Sequence, residues 1–132
     1  MKIMVCYDGS KEAKAALKMA QKNAKLYDAK MEVVKSITRE IPLKHSFVEK
    51  EDKKLQREIK DLLGEGDVSY EVELLVTSLA AGEELVKFAE DWKMDQMYIG
   101  IVKKSKVGKF IFGSTAQHVI LHAPCPVVTV QE

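Results

Sequence analysis

The segment KIMVC, Lys2 to Cys6, runs straight into the turn residues Asp8, Gly9 and Ser10, and behind them Ala13, Ala16, Leu17, Ala20 and Ala24 recur at helical spacing. A short unbroken apolar run is what a strand buried on both faces needs, and the periodic stripe after it predicts a helix that packs back across that strand. Ser10 stands where a side-chain oxygen caps the first free amides of such a helix. One unit of this kind calls for others, because the strand needs neighbours and the sheet needs cover on both faces.

The rest of the chain repeats the pattern. Strands are predicted at MEVVKSI (Met31 to Ile37), YEVELLV (Tyr70 to Val76), MYIG (Met97 to Gly100) and PVVTV (Pro126 to Val130). Between them, Ser46 and Glu49 have capping-box spacing ahead of a stripe formed by Val48, Leu55, Ile59, Leu62 and Leu63, which Gly64 and Gly66 end. A third helix is expected from about Ser78 to Trp92, with Leu85, Val86, Ala89 and Trp92 facing inward. Ser114 and Gln117 repeat the capping-box spacing, and Val119, Ile120 and Ala123 continue a helix that Pro124 stops. With no internal repeat, this order predicts one α/β domain over residues 1–132: a five-stranded parallel sheet, helices on both faces and right-handed crossovers. In such sheets ligands bind beyond the carboxyl ends of the strands, at the switch point of the strand order, and the segments from Cys6 to Ser10 and from Gly100 onward end there.

The charge is unevenly spread. Net charge is +1, which does not suggest a strongly basic nucleic-acid binder. Yet from Gln96 to Gln131 there are four lysines (103, 104, 106 and 109) and no acid, so of 21 bases 17 remain against 20 acids elsewhere. All four lie in GIVKKSKVGKFIFGST, Gly100 to Thr115. Only Phe110 and Phe112 interleave with them, a spacing that suits packing at least as well as base stacking. Cys6 and Cys125 are far apart in apolar surroundings and read as reduced, small hydrophobes. No apolar run approaches the roughly 20 residues of a membrane span, and the chain opens on a strand rather than a leader, so a cytoplasmic location is expected.

Several motifs can be set aside. A phosphate-binding P-loop around Gly108 and Lys109 fails, because Lys103 and Phe110 stand where glycine and Ser or Thr are required. The dinucleotide fingerprint fails as well, since only Gly9 follows the first strand. His118 and His122 are at i and i+4 but lack the glutamate and the third ligand of a zinc site, and no nucleophile elbow or catalytic carboxylate pair is evident. What remains is Gly113-Ser114-Thr115 at the start of the last helix. It either offers backbone amides, hydroxyls and the positive dipole end to a phosphate, or is a capping serine beside an exposed charged loop. Asp8 likewise either accepts from a ribose hydroxyl or holds Mg²⁺, or is ordinary turn chemistry.

The opening MKIMVCYDGS and the close GSTAQHVILHAPCPVVTV resemble the universal stress protein family, a likeness that spans essentially all 132 residues. Nucleotide-binding members carry Gly, two residues, Gly, nine residues and Gly-Ser or Gly-Thr. Here Gly100 and Gly113-Ser114 keep that spacing, and Lys103 occupies the middle glycine. The resemblance implies a Rossmann-like, adenine nucleotide alpha hydrolase-like fold with strand order 3-2-1-4-5. It implies a regulatory protein of the stress response rather than an enzyme, with slow ATP hydrolysis at most. The ligand implied is ATP or a related adenine nucleotide, alone or with Mg²⁺. Asp8 would lie near the adenosine, backbone at Ser36 would meet the adenine edge, Gly100 and Lys103 would border the phosphates, and Gly113, Ser114 and Thr115 would bind them. A homodimer through the last strand, Pro126 to Val130, is also implied. The alternative is a dimeric interaction module of the same fold that binds no nucleotide, because lysine replaces the second glycine.

Overall fold

β1 (Lys2–Cys6) is the central strand, paired in parallel with β2 (Lys30–Thr38) on one side and β4 (Gln96–Gly100) on the other. The computed structural model describes residues 1–39, 42–106 and 109–132, and of residues 104–106 and 109–111 the backbone. β3 (Tyr70–Thr77) flanks β2 and β7 (Val127–Val130) flanks β4, all parallel, which gives the order β3-β2-β1-β4-β7. These are the five strands expected from the sequence, in the order 3-2-1-4-5, with bounds shifted by a residue at most. Within the expected basic loop, β5 (Lys104–Lys106) and β6 (Lys109–Ile111) pair antiparallel as a separate two-stranded ribbon. Gly108 lies outside the described residues, as do the side chains of Lys104, Lys106, Lys109 and Phe110.

The two-residue period of β1 divides the interior. Ile3 and Val5 enter one core with Leu17 of α1 (Lys11–Tyr27) and Ile59 of α2 (His45–Leu63). Met4 and Cys6 enter another, with Leu85 and Ala89 of α3 (Ala81–Asp91) and Val119 of α4 (Ser114–His122). Burying each of the larger of these side chains contributes about 1.5–3 kcal/mol. Along α1 the buried face is Ala13, Ala16, Leu17, Ala20 and Ala24, so small residues let the helix lie close on the sheet.

Helix ends show where local expectation holds and where it gives way. Ser10 caps α1, its Oγ accepting from the Ala13 amide at 3.1 Å, and α2 stops at Gly64 with φ of 65°. The two expected capping boxes are not formed. The chain turns helical one residue after Lys44 and one after Gly113, so Ser46 and Ser114 fall inside their helices and neither helix has a side-chain cap bond. α3 begins at Ala81 rather than near Ser78, because the Thr77 hydroxyl accepts from the Leu79 amide at 3.1 Å and holds a turn there. Trp92, expected in the core, is 57% exposed. The helix ends before it, at Asp91, which carries its ring off the buried stripe to lie beside Phe88 with ring centroids 5.9 Å apart.

Two glycines mark close approaches. A Cβ on Gly100 would run into the backbone of Glu12 and Ala13, 2.7 Å from the Ala13 nitrogen, so the end of β4 abuts the first turn of α1. A Cβ on Gly82 would lie 2.8 Å from the His118 Cβ, where α3 and α4 meet. Gly66, by contrast, has open space around it. Gly100→Ala is expected to lower the unfolding free energy by about 2 kcal/mol or more, and Gly66→Ala to change it by less than about 0.5 kcal/mol, as read from urea midpoints.

Candidate functional site

The carboxyl ends of β1 and β4, neighbours in the sheet, lead respectively to α1 and towards α4, and between these segments lies a cavity of about 510 Å³. This is the switch point of the strand order, where one crossover leaves for each face. Asp8, Ser36, Gly100, Gly113, Ser114 and Thr115, six of the seven residues expected at a site, line it together. The seventh, Lys103, is exposed and is not among the lining residues, although its neighbour Val102 is.

The turn after β1 is set by its own side chains. Gly9 takes φ of 85°, a conformation that strains any side chain, and the Asp8 carboxylate accepts from the Ser10 amide at 3.0 Å. Asp8 is therefore exposed at the cavity rim with one oxygen already engaged. Tyr7, buried beside it, donates its hydroxyl to Glu58 of α2 at 2.9 Å. Burial, that bond, and the charges of Glu58 and Asp8 push the phenol above its usual range.

At the opposite wall α4 opens on Gly113, which is extended (φ −61°, ψ 155°) and carries no side chain to accept the amides of the first turn. Four amides at a helix start lack partners within the helix, and here no cap side chain takes one. No acidic residue stands in this turn, so the positive end of the dipole faces the cavity uncompensated from within the helix. The Ser36 Oγ, in the wall contributed by β2, is buried and has no hydrogen-bond partner among the described residues.

The cavity floor is apolar and was not legible in the sequence: Cys6, Leu85, Ile99, Ile101, Phe112 and Ala116 come from five separate segments. Glu12, on the first turn of α1, was missed as well. Away from the cavity, the His118 and His122 rings stack with centroids 4.2 Å apart, and His122 Nδ1 lies 3.0 Å from the His118 carbonyl. Glu32, Glu71 and Glu73 cluster on β2 and β3, where the Lys30 ammonium sits 3.0 Å from Glu71. Among the described residues no helix is long and apolar enough to cross a membrane.

These features define a doubly wound α/β domain with a cavity at its switch point. The model of the Universal stress protein family matches residues 1–131, and the chain belongs to that family. It is 32% identical to a universal stress protein of Thermus aquaticus, over 98% of this chain and 97% of the relative. The solved structure of a universal stress protein from Archaeoglobus fulgidus superposes with a TM-score of 0.82 at 30% identity, covering 98% of each chain. A universal stress protein structure from the same organism, in complex with dAMP, aligns with a TM-score of 0.77 at 25% identity over 98% of this chain and 97% of that one.

Cys6 gives this region a pH signature. Burial above all, then Cys125 and Asp8, pushes its thiol from 9.0 up to about 12. The unfolded chain releases that proton from about pH 9.0 and the folded chain holds it to about 12, so stability is full below pH 9.0 and falls as pH rises through that window. Tyr7 acts in the same direction. Cys6→Ala is expected to flatten the fall of unfolding free energy above pH 9 by up to about 1.4 kcal/mol per pH unit, measured by urea titrations at successive pH values.

Proposed function

We propose that the chain binds an adenine nucleotide, ATP or a relative of it, alone or with Mg²⁺, in the switch-point cavity, as a regulatory ligand in a cytoplasmic stress response. The observation that carries this reading is the helix start at Gly113-Ser114-Thr115, without a side-chain cap, opening into a cavity at the switch point. The residues fit such a ligand in three ways. The α4 amides and the Ser114 and Thr115 hydroxyls suit a phosphate, the apolar floor suits a base, and the buried Ser36 hydroxyl and adjacent backbone offer polar recognition at its edge. Asp8 keeps a carboxylate oxygen for a ribose hydroxyl or a cation. The dAMP complex of the Archaeoglobus fulgidus protein supports the reading. The ligand acts as a signal rather than a substrate, and at most is slowly hydrolysed.

Gly113→Asp tests the anion site with two readouts. Space is open at Gly113, so an aspartate there can cap α4 and fill the anion position with its own carboxylate. Stability is expected to hold or rise by about 0.5 kcal/mol, while the thermal shift on adding AMP or ATP with Mg²⁺ is lost. No shift in the unaltered protein at near-saturating nucleotide would overturn the reading.

A second reading, an interaction module without nucleotide, is favoured by one observation: lysine stands at 103 in place of glycine. Lys103→Gly is expected to weaken nucleotide binding if that lysine adds attraction from outside the cavity wall, one residue after the lining residue Val102; binding seen only in K103G would favour the module.

In both readings the protein is a homodimer through Pro126–Val130. β7 is an edge strand, and the carbonyls of Pro126 and Val130 accept from Met97 of β4 and from Ile101 just after it, so by the alternation of the ladder the Thr129 amide faces the open edge. Thr129→Pro is expected to convert the dimer to monomer in sedimentation runs.

A further inference from the structure

Two helices begin at the cavity, and they begin differently. At α1 a cap side chain takes one first-turn amide, and the turn before it is held by a carboxylate. The Ser10 hydroxyl accepts from Ala13, the Asp8 carboxylate accepts from Ser10, and Glu12 adds a second carboxylate in the first turn. Asp8 and Glu12 both line the cavity. At α4 there is no cap side chain and no acid. No lysine, arginine or histidine is among the lining residues described; the side chains of Lys104, Lys106 and Lys109, which follow the lining residue Val102, lie outside the described residues.

The cavity is therefore electrically lopsided. One wall attracts an anion with the partial positive charge of a helix start, about half an elementary charge, and the other is lined by two acidic residues, Asp8 and Glu12. The backbone of that wall is fixed where Glu12 packs against Gly100. The field of Asp8 already reaches the floor, where it is one of the influences holding the Cys6 thiol and the Tyr7 phenol protonated.

We propose that this cavity selects an adenine nucleoside monophosphate over the metal-free triphosphate, with Glu12 as the selectivity residue. The inference rests on the nucleotide reading above. A single phosphate is matched by the one open helix start. Each further phosphate adds negative charge within a cavity that two carboxylates share, and like charges a few ångströms apart in a partly solvated site repel appreciably. Mg²⁺ bound to the triphosphate cancels two of those charges and lets Asp8 and Glu12 face a cation instead.

The test is calorimetric titration of the full chain with AMP and with ATP, first in EDTA and then in excess Mg²⁺, for the unaltered protein and for Glu12→Gln. In EDTA, AMP is expected to bind roughly tenfold more tightly than ATP, and E12Q to tighten ATP by roughly tenfold but AMP by less than about threefold. Mg²⁺ narrows the gap, and so does 1 M salt, where the screening length falls to about 3 Å. Equal affinities in EDTA, or an E12Q effect of the same size on both nucleotides, would overturn the charge selection and leave the nucleotide reading intact. If neither nucleotide binds under any of these conditions, both readings fall.

Discussion

The contact on which the site depends is a backbone against a backbone: the end of β4 at Gly100 pressed on Glu12 and Ala13 of α1. Hydrogen as a side chain is what lets the two meet. That approach sets the distance between the turn after β1 and the segment after β4, and with it the width of the cavity. Gly100 thus serves packing, whatever the cavity holds. Gly82 plays the corresponding part on the other face, where α3 meets α4 at His118 and the α4 start is held beside the sheet.

The sheet supplies the second constraint. Because β1 alternates Ile3 and Val5 with Met4 and Cys6, it feeds two cores at once, and neither helical layer can shift without disturbing the other through the same strand. Cys6 is the last residue of that alternation and belongs both to the α3/α4 core and to the cavity floor. The site is in this sense continuous with the core. Its floor is the place where core packing ends and no further side chain fills the space between the strand ends.

The architecture was largely legible because it rests on periodicity. Strands of four to nine residues in the main sheet, set between amphipathic helices, leave an unambiguous order, and the family resemblance carried by the two chain ends agrees with the strand sequence found. Helix starts were less legible. Spacing at Ser46 and Ser114 mimics a capping box, but Lys44 and Gly113 adopt the extended conformation of the cap one or two residues earlier, and no side-chain cap bond fixes either start. Trp92 failed for a related reason: its spacing fits the α3 stripe, but the helix ends before reaching it. At the site, the polar residues Asp8, Ser114 and Thr115 could be found from turn and motif chemistry. Leu85 and Phe112 could not, since each is an ordinary apolar residue in its own segment and becomes a wall only when the segments converge.

The exposed Trp92 has a practical consequence. It is the only tryptophan in the chain, and its carbonyl accepts from the Lys2 ammonium at 3.0 Å, at the amino end of β1. The cavity is at the other end of that strand, about 16 Å away along its length. The tryptophan fluorophore of this protein is thus anchored at the pole opposite the cavity. Its emission follows the docking of α3 on the sheet and is a poor reporter of anything that enters the cavity.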